Sequence, residues 1–248
     1  MPWDKPPEEL TLPADEVHIW RVSLDVASDS LSVLKGTLSG DELRRAGRFF
    51  FERDRLHFIA ARGVLRSIIG FYLDTDPKVV RFAVAPDGKP QLDERFDIHD
   101  VRFNLSHSRG LALYAFTLGR EIGVDLERIR KDFDWQPIAD RFFTPGEKEK
   151  LESMSEAKGY KAFFSCWTLK EAYMKARGKG LALPPNRFEV TVEPTEPPAL
   201  VTDLDDPEAA SRWILHRIDP HRCYAAGLAV ERNTYRFRYW LYSPGANQ

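Results

Sequence analysis

The sequence has few cysteines, no basic excess and no long apolar run, and each absence excludes a class of protein. Only Cys166 and Cys223 occur in 248 residues. Neither belongs to a CxxC pair or a Cys/His cluster, so a disulfide framework and a zinc site are excluded. Each lies in an apolar stretch, which favours a buried thiol. Lysine and arginine total 36 against 38 acidic residues, a balance that argues against a general nucleic-acid-binding protein.

No stretch reaches the ~18 apolar residues of a membrane span. The first residues are rich in proline and charge and lack the apolar run of a signal peptide. We therefore expect a cytoplasmic protein in a reducing compartment, with no nucleic-acid or membrane partner. The length allows one large domain or two domains of ~120 residues each.

The order of predicted elements is strand, long helix and strands, and this order occurs twice. It indicates an α+β fold in which two similar halves pack as a pseudo-dimer, each with a long helix against a small, mostly antiparallel sheet. The halves are predicted at 15–120 and 121–242, with loose ends at 1–14 and 243–248. A capping box, Ser39 to Glu42, starts the first long helix. Segment 106–110 is predicted as a turn, and Gly159 is predicted to interrupt the helices after Thr144.

Two carboxylates stand close together on the predicted strand Glu121–Ile129. Side chains of a strand alternate between its faces, so Asp125 and Glu127 share one face with Gly123. Adjacent carboxylates repel each other unless a cation lies between them, and glycine allows a close approach to the backbone. A solvated strand face explains the same pattern, so the pair alone does not establish a metal site.

A third carboxylate, Glu171, lies on a predicted helix with Lys175 one turn further along. The pair could be an ordinary surface ion pair. It could also complete a site in which three carboxylates hold Mg²⁺, which prefers oxygen ligands, while the lysine contacts a phosphate.

Other polar residues suggest a site for an anion. Ser106 and His107 could bind phosphate or simply form a structural turn; neighbouring strand positions face opposite ways, which makes them a poor nucleophile and base pair. Basic residues are dense on the first long helix, where a solvated face is the ordinary explanation: Arg44, Arg45, Arg48, Arg53, Arg55, His57, Arg62 and Arg66. No Walker A or dinucleotide-binding glycine motif occurs, so cationic side chains would have to hold a nucleotide.

The motifs together are more specific than each alone. They occur in this order: Asn104-Leu105-Ser106-His107, Gly123-Val124-Asp125-Leu126-Glu127 and Trp167-Thr168-Leu169-Lys170-Glu171-Ala172-Tyr173-x-Lys175. The chain resembles the 4'-phosphopantetheinyl transferases, specifically the long single-chain type that serves peptide and polyketide synthetases. The resemblance covers roughly 40–190 and extends to further short stretches: Arg48-Phe49-Phe50, Asp54, Gly88-Lys89-Pro90, Arg141-Phe142-Phe143-Thr144 and Gly178-Lys179-Gly180-Leu181.

The resemblance implies transfer of 4'-phosphopantetheine from coenzyme A to a serine of an apo acyl, peptidyl or aryl carrier protein, by a monomer with internal pseudo-two-fold symmetry. Adenosine 3',5'-bisphosphate would be released. Asp125, Glu127 and Glu171 match metal ligands for Mg²⁺, with Mn²⁺ as an alternative. The implied coenzyme A contacts are Lys175 at the pyrophosphate, Ser106 and His107 at phosphates, Lys89 beside adenosine and Arg45 near the 3'-phosphate.

The chain departs from the family at the 3'-phosphate. His57 stands where many members have arginine, and Glu42 replaces a lysine of some members, so Arg48 or Arg62 could carry this contact. Glu147 matches a proposed general base but is also the third residue of a capping box; Glu127 and a metal-bound water are rivals. The carrier is expected on a basic or apolar surface near the cleft, and aromatic residues that could equally be core are candidates: Phe133, Trp135, Phe142 and Phe143.

Two other functions would share some of these features. A Mg²⁺-dependent phosphohydrolase or nucleotidyl transferase would use the same carboxylates without a protein acceptor. A non-catalytic binding protein would keep the cofactor site only, which the complete set of three carboxylates and Lys175 disfavours.

Overall fold

A computed structural model describes residues 2–84, 88–96, 100–178 and 183–244. The strands are β1 (Glu16–Ser23), β2 (Phe82–Val84), β3 (Pro90–Leu92), β4 (Val101–Ser108), β5 (Leu111–Leu118), β6 (Ile122–Arg128), β7 (Phe188–Val190), β8 (Leu200–Asp203), β9 (Trp213–Ile218), β10 (Tyr224–Glu231) and β11 (Arg236–Tyr242). The helices are α1 (Ser28–Lys35), α2 (Gly40–Ala46), α3 (Glu52–Leu73), α4 (Gln136–Phe142), α5 (Pro145–Glu152), α6 (Glu156–Arg177) and α7 (Ala209–Arg212). The predicted mixed α+β class is confirmed.

Two sheets form the centre of the molecule, and a 22-residue helix covers the outer face of each. The first sheet has the strand order β11-β1-β5-β4, and the second has the order β6-β10-β9. Apolar side chains fill the space between the sheets, with Ile19 and Leu113 from the first sheet meeting Val124 and Leu228 from the second. Alternation along each strand sends the remaining residues to the helices: α3 packs on the first sheet and α6 on the second.

The edge strands β4 and β6 lie beside each other where the two sheets meet. No ladder of backbone hydrogen bonds joins them in the described residues, since they belong to different sheets. Side chains of β4 instead bond to β6. The polar residues of the motif on β4, 104–107, are thereby brought into contact with those of the motif on β6, 123–127.

One strand crosses the predicted boundary between the halves. Strand β11 lies in the predicted second half, 121–242, yet it pairs in parallel with β1 of the first sheet over Glu16–Val22. The reason is that β1 has an open edge and β11 can complete it. The predicted loose arm 1–14 is also held in place: the Asp4 amide donates to Tyr239 O at 3.0 Å, and Leu10 and Leu12 pack on the core. Residues 245–248 of the predicted loose end lie outside the described residues, and internal two-fold symmetry stays a prediction.

Several local predictions also differ from the structure. Residues 106–108 belong to β4, and the turn contains only Arg109 and Gly110, which both have positive φ, 48° and 87°. Positive φ at both positions suits a two-residue hairpin turn. The predicted first long helix is broken at 47–51 and forms two helices, α2 and α3. Gly159 lies inside α6, while the predicted capping boxes that start α2 and α5 are confirmed. Cys223 is exposed, unlike Cys166, because it lies in the turn that precedes β10.

Helix α3 is long and apolar enough to cross a membrane by length and composition alone. Its apolar residues pack in the core against the first sheet, as shown by Val64, Ile68 and Ile69, which are fully buried. The Tyr114 hydroxyl of β5 also donates to the backbone carbonyl of Ala61 at 2.8 Å. These contacts are those of a core helix.

Candidate active site

Two glycines allow α6 to lie directly on the second sheet, beside Asp125. A Cβ atom on Gly123 would lie 2.1 Å from the carbonyl oxygen of Ala172, and one on Gly227 would lie 2.6 Å from that of Thr168. Gly227 is the ladder partner of Asp125. The close approach predicted at Gly123 is therefore made by the helix that carries Glu171 and Lys175.

Asp125 is at the centre of the polar contacts and is only 5% exposed. Its Oδ1 accepts hydrogen bonds from Lys175 Nζ at 2.6 Å and from Ser106 Oγ at 3.0 Å. Its Oδ2 is buried and has no hydrogen-bond partner among the described residues. A buried carboxylate oxygen without a donor is costly, so Asp125 has one oxygen that can accept a cation or a donor from a ligand.

Lys175 bonds to Asp125 rather than to Glu171, the partner that an ordinary helical ion pair would give it. Its Nζ also donates to Ser106 Oγ and to Val124 O, both at 3.2 Å. The ammonium group thus joins α6 to both edge strands and places a positive charge on the carboxylate.

Three alternate residues of β4 hold the edge of β6 through their side chains. Asn104 Oδ1 accepts from the Val124 amide at 2.9 Å. Ser106 binds Asp125, and Ser108 Oγ donates to Glu127 Oε2 at 3.1 Å. Asn104 and Ser108 were not among the predicted site residues. Their period-two spacing in the sequence Asn-x-Ser-x-Ser is the signal that could have indicated them.

The three predicted metal ligands, Asp125, Glu127 and Glu171, lie close enough together for their charges to interact. Burial, followed by the negative charges of Asp125 and Glu127, raises the pKa of Glu171 to about 7, although Lys175 opposes the shift. Burial and the charge of Asp125 also raise the pKa of Glu127, against the hydrogen bond from Ser108. Mutual repulsion of this kind is relieved by a bound cation.

The donor chemistry at this position fits a hard divalent cation. Carboxylate oxygens are the ligands that Mg²⁺ prefers, and Asp125 Oδ2 is a buried oxygen without a protein donor. As the side chains stand, no three His, Cys, Asp or Glu residues of the described ranges converge closely enough to hold a metal. Lys175 occupies the other oxygen of Asp125, and a cation would be held with additional oxygens from a ligand or water.

A cavity of about 780 Å³ opens next to Asp125. Five of the predicted cofactor-binding residues line it: Arg45, Arg62, Ser106, His107 and Lys175. Burial, Lys175 and His57 lower the pKa of His107, and Asp54 opposes them. The cationic groups on the cavity wall therefore include Arg45, Arg62 and Lys175 rather than His107, and an anionic ligand requires such groups.

Acidic Glu42 offsets part of this positive charge. It is 5% exposed and accepts from Arg62 and from Arg66, the latter at 2.7 Å. The Arg62 guanidinium also lies over the Phe82 ring, 3.8 Å from its centroid. Arg45 lies over the ring of Phe58 at 5.4 Å and forms no salt bridge with the described residues, so its charge is the more accessible to a phosphate.

The remaining three predicted cofactor contacts do not line the cavity. His57 Nε2 bonds to Asp25 Oδ1 at 2.7 Å, and Arg48 is exposed. Lys89 Nζ donates to the Ile122 carbonyl at 2.9 Å; its neighbours Gly88 and Pro90 do line the cavity. His57, whose charge affects His107, and Lys89, whose neighbours line the cavity, thus lie near the site without forming its wall, and Arg48 does not line the cavity.

Glu147 lies in a separate buried cluster. Its side chain is fully buried and accepts from Lys170 Nζ at 2.7 Å, from the Val190 amide and from the Thr144 amide, both at 2.9 Å. None of these contacts is with Asp125, Glu127 or Glu171. The geometry favours a structural role, in which Glu147 ties α5 and β7 to α6 one residue before Glu171.

The aromatic candidates for a carrier surface belong largely to the core of the second half. Phe143 is 2% exposed, and Phe133, Trp135 and Phe142 pack against the same cluster. The Phe143 and Phe163 rings stack with centroids 5.4 Å apart. Their main contribution is therefore to packing beside α6.

Comparison with known proteins gives the family. Residues 121–229 match a model described as the 4'-phosphopantetheinyl transferase superfamily, and residues 25–117 match one described as 4'-phosphopantetheinyl transferase, N-terminal. The chain is 43% identical over 240 residues to the 4'-phosphopantetheinyl transferase HetI of Nostoc sp., with 97% of this chain and 98% of that protein covered. It is 31% identical to the 4'-phosphopantetheinyl transferase Sfp of Bacillus subtilis, over 62% of this chain and 66% of Sfp.

A solved holo-(acyl-carrier-protein) synthase from Bacillus anthracis, in complex with CoA (3',5'-ADP), is a partial structural match. Its TM-score is 0.36 at 22% identity, and it covers 45% of this chain and 94% of that chain. The carboxylates of β6 and α6 lie within the matched range 121–229. The 43% identity to HetI over nearly the full length of both proteins, and the two family models that match most of the sequence, show that the chain belongs to the 4'-phosphopantetheinyl transferase family.

Proposed function

We propose that the chain transfers 4'-phosphopantetheine from coenzyme A to a serine of an apo acyl, peptidyl or aryl carrier protein, and releases adenosine 3',5'-bisphosphate. Family membership supports an enzyme that transfers this group. The observation that carries the proposal is the position of Asp125: its Oδ2 is buried and unpartnered, and its Oδ1 bonds to Lys175 and Ser106, which line the cationic cavity.

The cavity suits the phosphates of coenzyme A. Lys175, Ser106 and His107 lie on its wall beside Asp125, where the pyrophosphate would bind. Arg45, supported by Arg62, lies on the same wall and supplies a cation for the 3'-phosphate. A lysine meets phosphate as a point charge, whereas arginine can contact two oxygens at once.

Asp125, Glu127 and Glu171 would hold Mg²⁺, or Mn²⁺ in its place. A divalent ion held there would supply positive charge that offsets the negative charge developing on the phosphate oxygens in phosphoryl transfer. Lys175 adds a fixed positive charge to the same oxygens. Ser106 and Ser108 keep Asp125 and Glu127 in place through the hydrogen bonds described above, and Gly123 allows α6, which carries Glu171, to pack directly against β6.

The acceptor serine must lose a proton when it attacks. Glu127 is the base that the geometry supports best, because it is partly exposed at the end of β6 and its pKa is raised, which strengthens a general base. Glu147 is fully buried and saturated with hydrogen bonds, so a protein substrate cannot reach it.

We also propose a cytoplasmic monomer that serves carrier domains of peptide or polyketide synthesis. The two cysteines are unpaired, which suits a reducing compartment. Size-exclusion chromatography with light scattering tests the monomer; a stable dimer would contradict it.

Mass spectrometry tests the reaction itself. The protein is incubated with coenzyme A, Mg²⁺ and a panel of apo carrier proteins, and intact carrier mass is measured. We expect a gain of one phosphopantetheinyl group on serine, lost when EDTA is present. A phosphohydrolase or nucleotidyl transferase would consume a nucleotide and leave every carrier unchanged, and that result would overturn the proposal.

A further inference from the structure

Three consecutive phenylalanines between α2 and α3 expose much of their surface. Phe49 is 37% exposed, Phe50 is 92% exposed and Phe51 is 64% exposed. The rings of Phe50 and Phe51 contact each other edge to face, 5.0 Å apart, and Phe49 contacts Phe58 at 5.3 Å. Scattered apolar residues are common on protein surfaces, but a contiguous aromatic patch needs an explanation.

Local folding does not supply that explanation. Phe51 occupies the N-cap position of α3 and forms no side-chain cap hydrogen bond. Serine, threonine, aspartate or asparagine at this position would satisfy a free amide of the first turn. Phe50 precedes the cap, where an apolar residue can pack on the fourth helical residue, but that residue is the charged and half-exposed Arg55. Phe50 and Phe51 therefore do not stabilise the start of α3.

The patch lies on the rim of the candidate active site. Phe49 contacts Phe58, which lines the 780 Å³ cavity together with Arg45. Asp54, in the first turn of α3, lies close enough to affect the pKa of His107. The charge of Arg53 likewise affects the pKa of Tyr224. Tyr224 pairs with Arg128 at the end of β6, the strand that carries Asp125 and Glu127.

The surroundings of the patch are basic. Residues 44–55 contain five arginines and two carboxylates in a chain whose net charge is -2. One carboxylate, Glu52, is already paired with Arg55 at 3.0 Å. Aromatic side chains surrounded by arginine are the composition of a protein-binding surface, and the charge excess favours an acidic partner.

We infer that Phe49, Phe50 and Phe51, with the surrounding arginines, dock the acidic carrier protein whose serine receives the phosphopantetheinyl group; the inference rests on the proposed function. A carrier that brings a serine to Asp125 and Glu127 must cover the adjacent rim. Phe50 and Phe51 supply apolar anchors there, and the arginines attract the acidic surface around that serine. The core aromatics around Phe133 are then not needed as the main docking surface.

Steady-state kinetics of a Phe50→Ala/Phe51→Ala variant test the inference, with the apo carrier that the wild-type protein modifies. We expect the KM for the carrier to rise about tenfold or more, since such anchors contribute a large share of binding energy. The KM for coenzyme A and its affinity by calorimetry stay within twofold. The matched control is Phe71→Ala. Phe71 lies at the far end of α3 and is 39% exposed, close to the exposure of Phe49. This variant should leave the KM for the carrier, the KM for coenzyme A and the coenzyme A affinity unchanged.

A second variant keeps the test independent of the aromatic change. Arg44→Glu should raise the KM for the carrier severalfold and weaken its dependence on salt. Unchanged carrier KM in both variants would overturn the docking surface. Two other results would also overturn it. If the wild-type protein dimerises in sedimentation and the double phenylalanine variant does not, the patch serves self-association. If the wild-type protein binds anionic vesicles and the double variant does not, the patch binds a membrane. If the wild-type protein modifies no carrier, the proposed function itself fails, and the docking surface fails with it.

Discussion

Replacing Glu171 by glutamine removes the carboxyl group whose pKa burial and the neighbouring Asp125 raise to about 7 from an ordinary 4.5. Below pH 4.5 this group is neutral in both the folded and the unfolded chain, so it costs no stability. Above pH 7 it is ionised in both, and ionisation is harder in the folded state. Wild-type protein without metal therefore loses stability as the pH rises from 4.5 to about 7.

The size of the effect follows from the shift. A pKa difference from 4.5 to about 7 corresponds to about 3 kcal/mol at most. Solvent screening at a partly exposed side chain lowers this to roughly 1–2 kcal/mol. Glutamine is neutral at every pH and keeps a similar shape. We therefore expect Glu171→Gln to be more stable than wild type by roughly 1–2 kcal/mol at pH 8 and about equally stable at pH 4.5.

Urea denaturation in EDTA at pH 4.5, 6, 7 and 8 measures this difference. Glu152→Gln is the control, since Glu152 is an exposed residue of the neighbouring α5, and it should not change stability at any of these pH values. Added Mg²⁺ should stabilise the wild type at pH 8 more than the variant, because binding to the folded state alone raises stability. If Glu171→Gln is no more stable than wild type at pH 8 in EDTA, burial and the neighbouring carboxylates do not raise the pKa of Glu171 as described.

Three further changes test other parts of the structure. Lys170→Met leaves the fully buried Glu147 without its partner, so we expect a loss of roughly 3–5 kcal/mol in urea denaturation, and a loss below 1 kcal/mol would contradict a structural pair. Gly123→Ala puts a methyl group 2.1 Å from the backbone of α6, and a lower melting temperature together with lost transfer is expected; near-normal activity would argue against the close approach. Ser108→Ala removes the hydrogen bond that lowers the pKa of Glu127, which should move the acidic limb of the kcat/KM pH profile upward, whereas an unmoved profile would exclude Glu127 as the base.

The parts of the site that depend on local pattern could be predicted from the sequence. Alternation on β6 separates Asp125 from the apolar residues Val124 and Leu126, and the structure places these in the core between the sheets. The capping box at Glu147 is also a local pattern and is confirmed. Its buried partner Lys170 lies 23 residues further along the chain, on another helix, so no local pattern could reveal that the same carboxylate is neutralised by an ion pair.

Long-range pairing accounts for most of what the sequence did not predict. Strand β11 reads locally like any other strand of the second half, and its parallel pairing with β1 depends on which sheet edge is open. Lys175 is one helical turn from Glu171, yet it bonds to Asp125, 50 residues earlier. These pairings depend on how α6 packs across β6. Gly123 and Gly227, on two different strands, allow that packing.

The most direct test of the central claim is the rate of phosphopantetheinyl transfer by Asp125→Asn, followed by intact-mass measurement of the carrier. Asparagine keeps the volume and the contact with Ser106 but removes the negative charge that we assign to cation binding. Urea denaturation confirms that the variant is folded before the assay. We expect the rate to fall by about a thousandfold or more, as for loss of a central electrostatic group, at any Mg²⁺ concentration. A folded Asp125→Asn protein that modifies the carrier within tenfold of the wild-type rate would contradict the account.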